Sequence, residues 1–321
     1  MSGGAEPTGE LSNAVNPTGR PPLIIVVGPT ASGKSELALQ IAESVGGEIV
    51  NADSVQVYRY FDIGSAKPSA AELARVPHHL VDRIEPDAPL DAGQWCALAD
   101  VAIEDIVARD RTPIVCGGTF LWVKALLYGL ASAPPGDVDV RERHRQMAAT
   151  EGREALHRRL AEVDPILGAR LNPNDFVRVS RALEVFELTG RPLSEFQAEH
   201  GFRAMRYPAR LFGIAHERTL SDQRIHDRTQ AMFRAGWVEE VRELVRRGFG
   251  QSRAMNSVGY RQIADALSAA APVDLDELAL SVYRATRVFA RRQRTWLRDQ
   301  PVEWLSPEVF GSGWVPESTA S

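Results

Sequence analysis

The sequence predicts an α/β protein: a P-loop-containing parallel sheet core with an inserted all-helical domain. Three observations carry that reading. Short apolar runs, led by LIIVV over 23–27, have the character of strands buried on both faces. They alternate with helical periodicity, which implies parallel strands joined by right-handed crossovers. From Val140 to about Phe196 the strand signal vanishes and only helical periodicity remains.

Taken in order, residues 1–22 are rich in Gly, Pro, Ser, Thr and Asn, and read as a disordered tail. Order is expected from Leu23. After the first strand comes a glycine loop, then a helix from about Lys34 to Ser44 with Leu37, Ala38 and Ile41 on one side. EIVNA is a second strand, ending at Asp53. A weak strand is expected at His79 to Val81, and a clear one at TPIVC (112–116). SAPPGD (132–137) is a turn-rich break. One more strand, RLFGIA, covers 210–215, and helices follow to about Asp299. The resulting division is a core of 23–130 with 206–306, a helical insertion over 131–205, and an irregular tail over 307–321.

Composition bounds the function. The chain has 321 residues, 44% apolar and 25% charged, which fits a globular protein and excludes collagen or a coiled coil. No window approaches the ~18 apolar residues a membrane span needs. The start lacks the pattern of a secretory signal. Cys96 and Cys116 form no CxxC pair, so a cytoplasmic protein without a cysteine metal site is expected. The net charge of -5 argues against nucleic acid unless the charge is unevenly spread. Lysine occurs only at Lys34, Lys67 and Lys124, the other basic residues being Arg, so a lysine here is unlikely to be filler.

Gly28, Pro29, Thr30, Ala31, Ser32, Gly33, Lys34 and Ser35 fit G-x-x-x-x-G-K-[ST] between a buried strand and a helix. The glycines allow a tight loop whose N–H groups face an anion, and the helix N-terminus adds partial positive charge. Lys34 can reach the outer phosphates, and the Ser35 hydroxyl can ligate Mg²⁺. The alternative is an incidental glycine turn. An apolar strand ending in a metal-holding Asp, expected of an ATPase, is missing: TPIVC ends in Gly117, Gly118 and Thr119. That disfavours a motor ATPase and leaves a P-loop small-molecule kinase open.

Ligands of open parallel sheets sit at the carboxyl ends of the strands. The cradle, Asp53 and Thr119 should therefore converge. By residue type alone, Asp53 can be a general base, a metal ligand or a helix cap.

GPTASGKS, NADSVQVY with DIGSAKP (62–68), CGGT, NDFVRVSRALEV (174–185), SVGYRQ (257–262) and ARRQRTWLR (290–298) occur in that order. Together they resemble the bacterial tRNA dimethylallyltransferase (tRNA isopentenyltransferase) family, from about Leu23 to Leu305. The resemblance implies transfer of a dimethylallyl group from dimethylallyl diphosphate to the exocyclic amine of the adenosine 3′-adjacent to the anticodon in tRNA. The cradle would then hold diphosphate rather than ATP, with Mg²⁺ on Ser35. Asp53 matches the family's base, Thr119 a threonine at the target nucleotide, and Arg224 an arginine on the diphosphate. The base must leave its stack, entering a channel lined by Ser54, Val55 and Gln56. Gln56 can pair with an adenine edge or be an ordinary solvated residue.

The insertion resembles the family's tRNA-gripping domain. Arg141 matches a family position at the tRNA, as does the stretch Val177, Arg178, Val179, Ser180 and Arg181. Arg178 and Arg181 share a helix face and can meet phosphate, or pair with Glu184 and Glu187. Val258, Gly259, Tyr260 and Arg261 match a motif at the RNA, where Tyr260 either stacks on a base or is a core aromatic. Arg284, Arg287, Arg291, Arg292, Arg294 and Arg298 occur without an intervening acid, a pattern suited to an RNA backbone. His78 and His79 have no metal-site spacing and read as structural. The expected partners are a tRNA anticodon stem-loop and dimethylallyl diphosphate, with no membrane, acting as a monomer. A nucleotide-gated RNA-binding module is a third, non-enzymatic reading.

Overall fold

The buried apolar runs become adjacent parallel strands of one sheet in the computed structural model. It describes residues 19–269, 272–311, 314 and 316. In chain order the elements begin β1 (Leu23–Val27), α1 (Lys34–Val45), β2 (Gly47–Asn51), α2 (Ala70–Arg75), β3 (His78–His79), α3 (Ala92–Ala108), β4 (Thr112–Gly117) and α4 (Phe120–Tyr128). Five helices follow: α5 (Val138–Thr150), α6 (Arg153–Val163), α7 (Pro165–Arg170), α8 (Phe176–Thr189) and α9 (Leu193–His200). The chain ends in β5 (Ala209–Ile214), α10 (Arg218–Arg234), α11 (Trp237–Arg246), α12 (Tyr260–Ser268), α13 (Leu275–Leu297), β6 (Val302–Leu305) and α14 (Pro307–Gly311).

The sheet order is β3-β2-β4-β1-β5-β6, and every pairing is parallel. β1 lies between β4 and β5, so the chain reverses direction across the sheet there. Such a switch point opens a crevice at the carboxyl ends of the strands. All five residues of β1 are buried, as its apolar run requires. Leu37, Ala38 and Ile41 of α1 pack with Ile24, Val26, Ile49 and Ile114 in one core cluster.

The chain divides into two compact units. One takes the chain up to Leu127 and from Arg206 onward, and the other is Tyr128–Met205. The second unit is all-helical: Leu156, Leu160, Leu167, Val179, Ala182 and Leu183 form its buried cluster.

Four expectations need correction. Residues 1–18 of the expected tail lie outside the described residues, but Arg20 is anchored. Its guanidinium bonds the Tyr207 hydroxyl and the Asp100 carboxylate (3.1 Å) and lies over the Tyr207 ring. A long-range ion pair from a distant element is invisible to local composition. At the other end, β6 pairs with β5 at the sheet edge, although four residues gave too short a pattern to stand out. Residues 307–311, expected to be irregular, form α14: Pro307 starts it and Ser306 Oγ accepts from Val309 N–H at 3.3 Å. The weak third strand sits at His78–His79, where Ile49 and Val50 are its partners, rather than at 79–81.

Candidate active site

A cavity of about 680 Å³ opens beyond the carboxyl ends of β1, β2 and β4, within the first unit. Thr30, Ala31, Lys34 and Ser35 come to it from the loop after β1, Asp53 to Gln56 from the segment after β2, and Gly118 and Thr119 from the end of β4. The convergence follows from the parallel sheet, because all strand ends of one polarity lie on one edge.

The loop after β1 is built by its glycines. A Cβ on Gly28 would collide with the Ser32 side chain, and Gly33 caps α1 with φ 89°. Ala31 also holds a positive φ of 62°, which is unusual for a residue with a Cβ. Two neighbours brace that bend. Arg224 Nε donates to Ala31 O at 2.8 Å, and Thr30 N–H donates to Gln293 Oε1 at 2.9 Å.

Lys34 stands at the floor of the cavity, reachable by water but enclosed by protein. Burial lowers its pKa from the ordinary 10.5; the nearby Arg228 lowers it too, while Cys116 and Asp53 oppose the shift. Arg228 lines the same cavity, and burial lowers its pKa against the pull of Asp53. Burial pushes the Cys116 thiol up to about 11, so it is an inert packing group rather than a nucleophile.

Asp53 Oδ1 accepts from Val55 N–H (2.8 Å) and Gln56 N–H (3.3 Å), which fixes the carboxylate's orientation. Thr119 Oγ1 accepts from Ser54 N–H at 3.0 Å and so joins the β4 end to this turn. Asp53 thus closes a turn over 54–57 rather than capping a helix, and its Oδ2 has no hydrogen-bond partner among the described residues, in a cavity that also contains Lys34 and Arg228.

The DIGSAKP segment folds as the cavity's rim. Lys67 binds the Asp62 and Asp82 carboxylates and donates to Tyr58 O at 3.0 Å, a fixed role for a rare lysine. Glu240 accepts from Asp62, Ile63 and Gly64 N–H and from the Tyr260 hydroxyl. Gln56 Nε2 donates to Ser65 O and Ala66 O at 3.0 and 2.9 Å. Gln56 Nε2 is therefore committed to the rim, and Oε1 is the amide atom left to meet a base edge.

Other sequence-derived candidates separate by geometry. Arg224 is exposed and braces the loop, whereas Arg228, one helical turn on, faces the cavity. Sequence reasoning missed Arg228, and the available signal was its i+4 spacing from Arg224. It also missed Gln293, which a run of arginines concealed. Tyr260 is fully buried against Phe61 and Trp237, so it is a core aromatic and does not stack on an unpaired base. Gly259 is required there, because a Cβ would collide with Trp237. Val258 lines the cavity, while Arg261 is exposed.

In the second unit, Val179 and Ser180 face inward. Val179 belongs to the apolar cluster and Ser180 Oγ meets His144 Nδ1 at 2.9 Å, so neither side chain is offered to RNA. Val177 and Arg178 are exposed. Arg141 Nε lies 2.8 Å from the fully buried Glu184, and Arg181 reaches the same carboxylate from 2.5 Å. Both arginines are engaged by Glu184, the pairing that competes with phosphate contact for Arg181. On α13, Arg287 pairs with Asp222 at 2.7 Å. Arg284, Arg291, Arg292 and Arg298 are exposed without a carboxylate partner among the described residues. His79 Nε2 meets Glu48 at 2.7 Å, and His78 Nδ1 meets Val76 O at 2.8 Å.

No group of three or more His, Cys, Asp or Glu side chains suited to a metal occurs among the described residues. No described helix is long and apolar enough to cross a membrane.

Comparison with known proteins places this arrangement. The family model described as "IPP transferase" matches residues 56–300. A tRNA dimethylallyltransferase of Sorangium cellulosum is 57% identical over 284 residues, covering 88% of this chain and 90% of that protein. One from Geobacter sulfurreducens is 48% identical over 293 residues, covering 90% and 94%. The crystal structure of the tRNA isopentenylpyrophosphate transferase of Bacillus halodurans superposes with a TM-score of 0.65 at 34% identity, covering 89% of this chain and 90% of that one. A match over most of the chain, with relatives at this identity and coverage, establishes that the chain belongs to the IPP transferase family, the tRNA dimethylallyltransferases.

Proposed function

We propose that the chain transfers a dimethylallyl group from dimethylallyl diphosphate to the exocyclic amine of the adenosine 3′-adjacent to the anticodon in tRNA, releasing diphosphate. The observation that carries this is the meeting of opposite chemistries in one cavity. Two enclosed cations, Lys34 and Arg228, lie beside a carboxylate, Asp53, that is held by two backbone N–H groups.

The reaction breaks the allylic C–O bond and forms a C–N bond. The bonding pair of the C–O bond leaves with the diphosphate, and Lys34, Arg228 and the loop N–H groups stabilise that growing negative charge. The adenine amine is a poor nucleophile because its lone pair is delocalised into the ring. As it bonds carbon it must lose a proton, and the Asp53 carboxylate accepts it. Thr119, tied to Ser54, holds the acceptor side of the site. Arg224 braces the loop through Ala31 O.

The cavity also suits Mg²⁺. The Ser35 hydroxyl is a hard oxygen donor in the cavity and would hold the ion, since Mg²⁺ takes few protein ligands when phosphate and water supply the rest. When bound, the ion neutralises charge on the leaving diphosphate.

The test combines labelled dimethylallyl diphosphate, undermodified tRNA and Mg²⁺, with and without ATP. Label should enter tRNA without ATP. Asp53→Ala should lower transfer by roughly 10²–10⁴-fold while inorganic pyrophosphate still binds. ATP-dependent phosphorylation with no transfer would instead identify the kinase alternative, and near-normal turnover in Asp53→Ala would remove the base.

A further inference from the structure

Gln293 is a buried amide near the C-terminal end of an arginine-rich helix, and it is bonded at both ends. Its Oε1 accepts Thr30 N–H at 2.9 Å, and its Nε2 donates to Gly118 O at 3.0 Å. The first partner belongs to the loop after β1, and the second precedes Thr119, the threonine joined to Ser54 next to Asp53. One side chain thus spans the leaving-group side and the acceptor side of the cavity.

The loop needs such a holder. Ala31 occupies a left-handed conformation that a residue with a Cβ adopts reluctantly, so the unbraced Thr30–Ala31 peptide would relax toward other geometries. Arg224 holds the far side of Ala31 and Gln293 the near side. Gly118 is fitted to the amide: a Cβ there would stand 2.7 Å from Gln293 Nε2, with Gly28 O the next atom at 3.7 Å. The absence of a side chain at 118 is what lets the amide in.

We propose that Gln293 is a positioning residue, which sets the spacing between the diphosphate cradle and the Asp53–Thr119 side of the site. The inference rests on the prenyl-transfer reading above. It assigns to α13 a role in the chemistry separate from any contact its arginines make with RNA. Displacement of reacting groups by a fraction of an ångström is enough to slow an enzyme that works by orientation. The effect should fall on catalysis and diphosphate binding, and spare tRNA affinity.

The experiment measures transfer kinetics and inorganic pyrophosphate binding by calorimetry for the native chain, Gln293→Ala, Gln293→Glu and Gly118→Ala. Gln293→Ala should lower kcat by about tenfold or more and weaken pyrophosphate by about fivefold, the range expected for lost orientation and one lost hydrogen bond, with KM for tRNA within about twofold. Gln293→Glu keeps an acceptor for Thr30 N–H but sets a carboxylate against Gly118 O. It should preserve pyrophosphate binding and lose turnover, so the two halves of the bridge separate. Gly118→Ala should reproduce the loss in turnover. Adding Gln293→Ala to it should cost little more, since both changes break one contact. If Gln293→Ala stays folded with native kcat and pyrophosphate affinity, or loses only thermal stability, Gln293 merely fastens α13 and the inference is overturned. If the native chain neither binds pyrophosphate nor transfers the label, the prenyl-transfer reading fails and this inference falls with it.

Discussion

Arg228 and Lys34 show how a single position acquires its function from enclosure. Both are ordinary cations by residue type, yet burial lowers both pKa values and so makes each charge costly in the free protein. On the proposed function, an incoming diphosphate would relieve that cost. Arg228→Ala should therefore lower kcat by about 10²–10³-fold, the usual effect of removing one charge-stabilising donor, with partial recovery in Arg228→Lys; steady-state kinetics measure it. Lys34 gives a pH signature. Its pKa in the folded, ligand-free chain lies below the unfolded value of 10.5, so rising pH relieves a folding penalty, fully above 10.5. Diphosphate favours the charged form and raises that pKa again. Pyrophosphate affinity should thus weaken as pH rises through the lowered value, below the range of an ordinary lysine. Calorimetry in buffers of different ionisation heat should record proton uptake on binding, and Lys34→Met should abolish it.

Among the elements, α8 shows why helix periodicity alone misjudges surfaces. Its Glu184 is fully buried and accepts from Arg141, Arg181 and Asp137 N–H. Burial pushes the Glu184 carboxyl up, but those hydrogen bonds outweigh it and hold the pKa below the ordinary 4.5. Removing a partner leaves cations without their acceptor, so Glu184→Ala should destabilise the helical unit by on the order of 3 kcal/mol in urea denaturation near neutral pH. The contribution is present above pH 4.5 and is lost as pH falls through the depressed value, so native and variant chains should converge in acid. A pH-independent difference would show that packing, not the carboxylate, was lost. The helix α13 divides its labour by face. Gln293, Ala290 and Leu297 point inward, whereas Arg291, Arg292 and Arg298 are exposed.

At the scale of the whole molecule, a net charge of -5 conceals that cationic stretch. If tRNA meets α13, log affinity should fall linearly with log salt despite the acidic total, because phosphate contacts release counterions. Each of Arg291→Ala and Arg292→Ala should reduce the slope by about one and leave pyrophosphate binding unchanged. A slope unmoved by both changes would place the RNA elsewhere.

Much of the fold was legible because it depends on local pattern. LIIVV has the pattern of a strand covered on both faces, and it is one, while the glycine-rich motif between it and a helix marked a tight loop at the strand's carboxyl end. The same logic located Asp53 and Thr119, since parallel strands bring their ends to one edge. What required the tertiary structure was every feature joining distant residues. Tyr260 proved to be core because Phe61, Trp237 and Glu240 surround it. Arg20 was anchored by Asp100 and Tyr207, and Gln56 Nε2 was committed to the rim. Gln293 was hidden among arginines until the loops it joins came together. Periodicity reports which face of an element is apolar, but the partner of a polar group is chosen by whatever the folded chain carries past it, and only the assembled molecule contains that choice.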